Sequence, residues 1–162
     1  MNAGITEASE PVTGDSETSG RIEGASHVLP IRVYYEDTDS GGLVYHANYL
    51  KFAERGRTEM LRLLGVNHTE TADRYGMSFA VRDCTIDYRR AARLDDRLDV
   101  RSRLTDLRGA SIRVDQGVWR AGDLVAHLNL RIVCLNPSGR PVAIPDSIRA
   151  ILQPYVQSPE QT

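Results

Sequence analysis

The chain has 162 residues, 41% hydrophobic and 26% charged, which is room for one ordinary domain and excludes collagen-like, coiled-coil and wholly disordered chains. The formal charge of -2 is unevenly placed: residues 1–27 hold five acids (Glu7, Glu10, Asp15, Glu17, Glu23) against Arg21, and the remaining bases are spread out rather than gathered into the dense stripe of a nucleic-acid binder. No apolar run approaches the roughly 18 residues of a transmembrane segment, and the N-terminus lacks a secretory pattern, so a soluble, cytoplasmic protein is expected.

Residues 1–27 have seven apolar members among Gly, Ser, Thr and Glu, too few to offset the entropy of ordering, and are expected to be a disordered acidic tail. From Leu29 the pattern changes. Ile31, Val33 and Tyr35 alternate with Arg32, Tyr34 and Glu36, the period of a half-buried strand, and Pro30 suits its beginning. Turn residues in DTDSGG (37–42) break it, and helical spacing follows over 47–64 through Tyr49, Ala53, Gly56, Met60 and Leu63, stopped by Gly65. Gly56 inside that helix costs about 1 kcal/mol against alanine, a penalty that makes sense if the helix backbone lies against another surface.

A shorter helix is expected over 67–75, then four strands over 79–88, 98–107, 110–119 and 124–135. In the first of these the apolar phase switches from Phe79 and Val81 to Cys84, Ile86 and Tyr88, which indicates a bulge near Arg82 and Asp83. Ala121-Gly122-Asp123 reads as a hairpin turn, and Pro145-Asp146-Ser147 starts a short helix through Leu152 that Pro154 ends. Cys84 and Cys134 are isolated in apolar alternations and read as two reduced, buried thiols. Strand, long helix, then four antiparallel strands make an α+β domain over 28–155, with a flexible C-terminus over 156–162. One wide-striped helix against a curved antiparallel sheet of about five strands describes a hotdog fold, and its open edges predict pairing with a second copy.

The densest cluster of reactive side chains runs from Tyr34 to Tyr49, between the first strand and the long helix. The first N–H groups of that helix, near His46 and Ala47, lack intrahelical partners and can bind an oxyanion. Asp39 lies seven residues before His46, and Gly41-Gly42 permits a tight enough turn to bring its carboxylate to the same point. A carboxylate beside oxyanion donors suits acyl-transfer hydrolysis.

Blander readings compete. Asp37 or Asp39 can make a side-chain turn or a cap, His46 can cap or pack, and the tyrosines can pack on sheet and helix. Asp37-x-Asp39-x-x-Gly42 also opens like a calcium loop, but position twelve is Asn48, where the bidentate acid should stand. Neither a metal nor a cofactor is expected.

The run Val33-Tyr34-Tyr35-Glu36-Asp37-Thr38-Asp39, then Gly42, Val44-Tyr45-His46-Ala47 and Tyr49, and then Arg57-Thr58-Glu59-Met60-Leu61-Arg62, closely resembles the Tol-Pal-associated acyl-CoA thioesterases, the YbgC family. These are relatives of 4-hydroxybenzoyl-CoA thioesterase. The likeness continues through Ala92-Arg93-Leu94-Asp95-Asp96 and Arg108-Gly109-Ala110-Ser111 to about residue 152. It departs from the family at Arg89-Arg90-Ala91, where relatives often have a proline-containing turn, and the acidic tail lies outside it.

The resemblance implies a metal-free hotdog hydrolase of acyl-CoA, assembled as a homodimer or homotetramer. The family's catalytic acid falls on Asp39, its motif tyrosine on Tyr35 and its motif histidine on His46, whose backbone N–H faces the thioester carbonyl in such enzymes. Asp39 then acts as nucleophile or as general base. Arg89, Arg90 and Arg93 are candidates for the CoA phosphates, against a plain pairing of Arg93 with Asp95 or Asp96. Asn48 and Ser111 are further candidates for substrate contact. Glu59 is a rival acid on the helix, with Arg55 as an ordinary partner four residues away. Two alternatives remain: an acyl-thioester hydratase or dehydratase, and a non-catalytic binding partner of acyl carrier protein or of an envelope complex. On any of these readings the cytoplasmic location allows a place peripheral to the inner membrane.

Overall fold

The computed structural model describes residues 18–158. Six strands form one antiparallel sheet: β1 (Arg21–Glu23), β2 (Ser26–Arg32), β3 (Ser78–Tyr88), β4 (Arg97–Leu107), β5 (Ser111–Arg120) and β6 (Asp123–Leu135), in the spatial order β1-β2-β4-β5-β6-β3. Helix α1 (Asn48–Leu63) lies across one face, α2 (His68–Tyr75) follows it, and α3 (Asp146–Leu152) runs into a 3-10 turn at Gln153–Tyr155. This is the expected hotdog arrangement, with six strands rather than five.

The core lies between α1 and the sheet. Tyr49, Phe52, Ala53, Met60 and Leu61 of the helix meet Val100, Leu104, Val114, Val118, Leu128 and Leu130 of the central strands, all buried. Alternate residues of each strand point inward, the period-two pattern of a sheet with one covered face. Gly56 is where the helix backbone comes closest: a Cβ there would stand 2.7 Å from Val100 Cγ1 and 3.2 Å from Gln116 Nε2. Gln116 is fully buried and fully bonded. Its amide donates to Ala53 O (2.9 Å) and Ser102 Oγ (2.8 Å), and its carbonyl accepts from Arg57 Nη1 (2.9 Å). A buried amide satisfied in this way fixes the register of helix on sheet.

The bulge is present, as a register shift between Val81 and Asp83. Around it Phe79 and Val81, then Cys84, Ile86 and Tyr88, all stand opposite the inward residues of β6. The β5–β6 hairpin turns on Ala121 (φ 47°) and Gly122 (φ 86°), both in the left-handed region that a two-residue turn requires.

Four expectations change. The boundary at residue 27 falls inside β2, and β1 pairs Arg21 with Val28 and Glu23 with Ser26, so the ordered sheet begins well before residue 28; residues 1–17 lie outside the described residues. At the other end Val156 bridges to Leu104 and Gln157 N donates to Leu104 O (2.8 Å), which joins these two residues to β4, while 159–162 lie outside the described residues. Tyr35 is not in a strand. Asp37 Oδ2 accepts the Tyr34 N–H (2.8 Å) and Thr38 N donates to Tyr35 O, so Tyr35–Asp37 closes into a 3-10 turn that stops the alternation. Finally, Cys134 is buried but Cys84 is exposed, because β3 is the sheet edge and α1 does not reach over it. Among the described residues no helix is long and apolar enough to cross a membrane.

Candidate active site

The loop between the 3-10 turn and α1 folds back on itself. Thr38 bridges antiparallel to Val44, Asp39 N donates to Leu43 O (2.8 Å), and Tyr45 N donates to Asp37 O (2.9 Å). Asp39 sits at the tip of this small hairpin, and its Oδ1 accepts the N–H groups of Gly41 (2.8 Å) and Leu43 (3.2 Å). The side-chain turn is therefore real, and it uses one carboxylate oxygen. Oδ2 has no partner among the described residues, and Asp39 is exposed.

Helix α1 opens without a side-chain cap at Ala47. Asn48 N donates to Tyr45 O (2.8 Å) and Leu50 N to Ala47 O (3.2 Å), whereas the N–H groups of His46 and Ala47 have no acceptor among the described residues. Unsatisfied donors at the positive end of a sixteen-residue helix form a site for developing negative charge.

The remaining candidates divide. The His46 ring is exposed and lies against Tyr45 (centroids 4.5 Å). Tyr35 is 83% exposed, and its hydroxyl makes no hydrogen bond among the described residues. Asn48 is buried, and its Nδ2 donates to Asp37 O (2.7 Å), so its amide holds the loop and is not turned toward a ligand. Asp37 is likewise committed within the loop, and the described residues contain no group of three or more His, Cys, Asp or Glu placed to hold a metal. Ser111 begins β5, at the opposite end of the strand from Val118, which pairs with Ala126 beside Tyr88; within one chain it does not reach Asp39.

The arginine segment does come to the site. Leu43 bridges to Arg93 and Val44 N donates to Ala92 O (2.9 Å), which lays residues 92–93 along the Asp39 loop. Arg89 and Arg90 both donate their backbone N–H to Val125 O, at the same end of the sheet. Arg89 pairs with Asp87 (2.6 Å), while Arg90 and Arg93 are exposed and make no ion pair among the described residues. Asp96 is taken by a residue that sequence reasoning missed: Arg120 Nη1 reaches both Asp96 Oδ2 (2.9 Å) and Ala91 O (3.0 Å) and so pins the 91–96 loop. Partial burial opposes charge on Asp96, but the Arg93 N–H and the Arg120 guanidinium outweigh it and hold this carboxyl below its ordinary range. Nothing in the local sequence links Arg120 to a loop 24 residues away.

Glu59 is not paired with Arg55. It accepts Arg62 Nη1 (2.6 Å) and Ser19 Oγ (2.7 Å), tying α1 to the segment that leads into β1, away from the Asp39 loop.

A model of the thioesterase-like superfamily matches residues 33–152. The acyl-CoA thioesterase YbgC of Haemophilus influenzae is 40% identical over 123 residues, covering 75% of this chain and 90% of the relative. The acyl-CoA thioester hydrolase YbgC of Escherichia coli O6:H1 is 44% identical over 124 residues, covering 75% and 91%. Among solved structures, a probable thioesterase from Bartonella henselae is similar with a TM-score of 0.71 and 36% identity, covering 74% of this chain and 99% of that one. The matched span takes in both the Asp39 loop and the start of α1, and this chain belongs to the thioesterase-like superfamily, in its YbgC group.

Proposed function

We propose that this chain hydrolyses acyl-CoA thioesters, with Asp39 as the reacting carboxylate and the N–H groups at His46 and Ala47 as the oxyanion donors. The observation that carries the reading is the pairing of an oriented carboxylate, one oxygen fixed and the other free, with uncapped helix donors reached through one short hairpin. A thioester needs little more, because thiolate is a good leaving group. Asp39 Oδ2 attacks the carbonyl carbon, the oxyanion forms against the N–H groups, and the carbon–sulfur bond breaks to release CoA thiolate, which takes a proton from solvent. Water then cleaves the resulting anhydride to free acid and the Asp39 carboxylate. In the alternative route Asp39 takes the proton from an attacking water and no acyl-enzyme forms. Rapid mixing separates them: the first gives trappable acyl-protein, the second does not.

Arg93, beside Leu43 of the loop, and Arg90, at the same end of the sheet, are the candidates for the CoA phosphates, with Arg89 shared with Asp87. A second copy of the chain is part of the reading. On the inward face of the β3 edge Val81 and Tyr88 are 50% and 44% exposed, and Tyr45 and Leu50 at the start of α1 are 47% and 42% exposed, an apolar face of the kind a homodimer covers. A partner copy also gives Ser111 a way to take part that one chain does not.

The test is thiol release from a panel of acyl-CoA and acyl-carrier-protein thioesters, with Asp39→Asn as the control. Asparagine keeps a carbonyl oxygen for the Gly41 and Leu43 N–H groups, so the loop survives while the reacting oxygen is lost. Activity should fall at least about a thousandfold, the scale of losing a catalytic group. Asp39→Asn turnover within a few-fold of the unmodified protein would refute the assignment.

A further inference from the structure

Tyr88 closes β3, and the bulge between Val81 and Asp83 sets its ring on the helix side of the sheet. There the ring stands edge-on to Tyr49 (centroids 5.6 Å) and to His46 (6.4 Å). Its hydroxyl lies 2.9 Å from the carbonyl oxygen of His46. A carbonyl can only accept, so the phenol is the donor.

That carbonyl belongs to the peptide unit whose other end is the Ala47 N–H. His46 precedes the helix cap, and its carbonyl has no other donor among the described residues: Asn48 N uses Tyr45 O and Leu50 N uses Ala47 O. The phenol is thus the hydrogen-bond partner of the His46–Ala47 peptide on its carbonyl side. A hydrogen bond to the C=O of an amide also draws electron density toward oxygen and makes its N–H a better donor. Tyr49 braces the arrangement from below, accepting the Ala92 N–H on its own hydroxyl (3.1 Å) and packing on Phe52.

We propose that Tyr88 is a positioning residue for the oxyanion site: its O–H holds and polarises the His46–Ala47 peptide so that the Ala47 N–H meets the thioester carbonyl already aligned beside the N–H of His46. This rests on the reading of the α1 N-terminus as the carbonyl-binding element. Burial, and then the nearby Cys84 sulfur, push the Tyr88 phenol up from its ordinary value, so the O–H stays a donor through neutral pH.

Tyr88→Phe removes the hydroxyl and keeps the ring on Tyr49. An effect that is present on the bound carbonyl but larger in the transition state should lower kcat about tenfold with KM changed less than twofold, whereas a general loss of folded protein would not reshape the bound carbonyl. The second measurement is isotope-edited infrared spectroscopy of a 13C-carbonyl acyl-CoA bound to full-length Asp39→Asn, which, with Asp39 as the reacting carboxylate, should hold substrate without turning it over. Hydrogen bonding from the helix N-terminus should move the carbonyl stretch below its value in solution, and adding Tyr88→Phe should move it back toward that value. Both the kcat loss and the return of the band are required. If the Asp39→Asn complex shows the lowered band and Tyr88→Phe leaves it in place, or leaves kcat unchanged, the role of Tyr88 is overturned while the oxyanion site stands. If the band is not lowered even with Tyr88 present, the oxyanion reading itself falls, and this inference with it.

Discussion

Replacing Gly56 with alanine sets two opposing effects against each other. Alanine is favoured over glycine in a helix interior by about 1 kcal/mol, so an exposed Gly→Ala change would stabilise α1. Here the new methyl would stand 2.7 Å from Val100 Cγ1, about 1 Å inside the 3.5–4.0 Å optimum for carbon pairs, and 3.2 Å from both Gln116 Nε2 and Ser102 Oγ. Val100 is fully buried and β-branched, with little rotamer freedom to give way. Gln116 cannot retreat without stretching its bonds to Ala53 O and Ser102. Overpacking of this kind costs about 1–3 kcal/mol, and strain on one buried hydrogen bond adds about 1 kcal/mol. After the helix gain is subtracted, the net loss is about 1–3 kcal/mol, a fall in Tm of several degrees for a domain of this size. Urea unfolding at fixed protein concentration should show a lower midpoint at unchanged slope. A Val100→Ala change in the same background should recover part of the loss, giving a coupling above about 1 kcal/mol in a double-mutant cycle. A Gly56→Ala protein as stable as the original would show that α1 is not held against β4 as described.

Glu59→Gln should keep most thioesterase activity, since the side chain ties α1 to Ser19 and Arg62 and is remote from the Asp39 loop; a dead Glu59→Gln enzyme would make the helix acid the catalyst. Arg90→Ala and Arg93→Ala should raise KM for acyl-CoA with kcat nearly unchanged, should lose that effect on an acyl-pantetheine thioester without nucleotide phosphates, and should exceed Arg89→Ala, whose guanidinium is shared with Asp87. Equal KM values for all three variants would place the phosphates elsewhere. His27 is fully buried, with Nε2 donating to Ser19 O (2.6 Å) and Nδ1 unpartnered. Burial lowers its affinity for a proton against smaller opposing effects of Ser19 O and Glu59, with Arg21 adding to the lowering. The unfolded chain therefore binds the proton first, and stability should be complete above the ordinary value of 6.5 and decline as pH falls below it, by at most about 1.4 kcal/mol per pH unit from this group. His27→Gln should flatten that part of the profile, and an unaltered pH dependence in urea midpoints would remove His27 as its source.

Long amphipathic segments are legible from sequence because their periodicity reports burial directly. Helix α1, the four later strands and even the bulge follow from the spacing of apolar residues such as Met60, Val100 and Ile86. What escapes is short or bonded through side chains. Strand β1 has three residues between Gly20 and Gly24, too few for a period to show. Tyr35 continues an alternation that the Asp37 carboxylate interrupts, and only the fold reveals that this carboxylate turns back onto Tyr34. Asn48 has the chemistry of a ligand contact but satisfies the Asp37 carbonyl, while Arg120 has the chemistry of surface charge but closes the 91–96 loop. The tight turn that brings Asp39 toward the helix start is legible because Gly41 and Gly42 are written in the chain, whereas the absence of a side-chain cap at Ala47 shows only in the fold.

The surplus residue in β3 turns the strand into a counting device. Ahead of it, odd-numbered positions such as Phe79 and Val81 face the helix; beyond it, even-numbered positions do, so Cys84, Ile86 and Tyr88 inherit the inward side. Arg82, at the changeover, is exposed and its side chain makes no bond among the described residues, so almost any side chain can stand there. Losing it altogether would join Val81 directly to Asp83 with the pairings on both sides kept, Val81 opposite Ile132 and Tyr88 opposite Ala126, so the phenol would still arrive beneath His46 and the strand would lose only its local bend. A residue gained or lost between Cys84 and Tyr88 is another matter, because the positions beyond it change faces and the ring leaves the inward side. At Arg82 the chain is free in identity and tolerant in number; the count that serves the site is the one that runs from Cys84 to Tyr88.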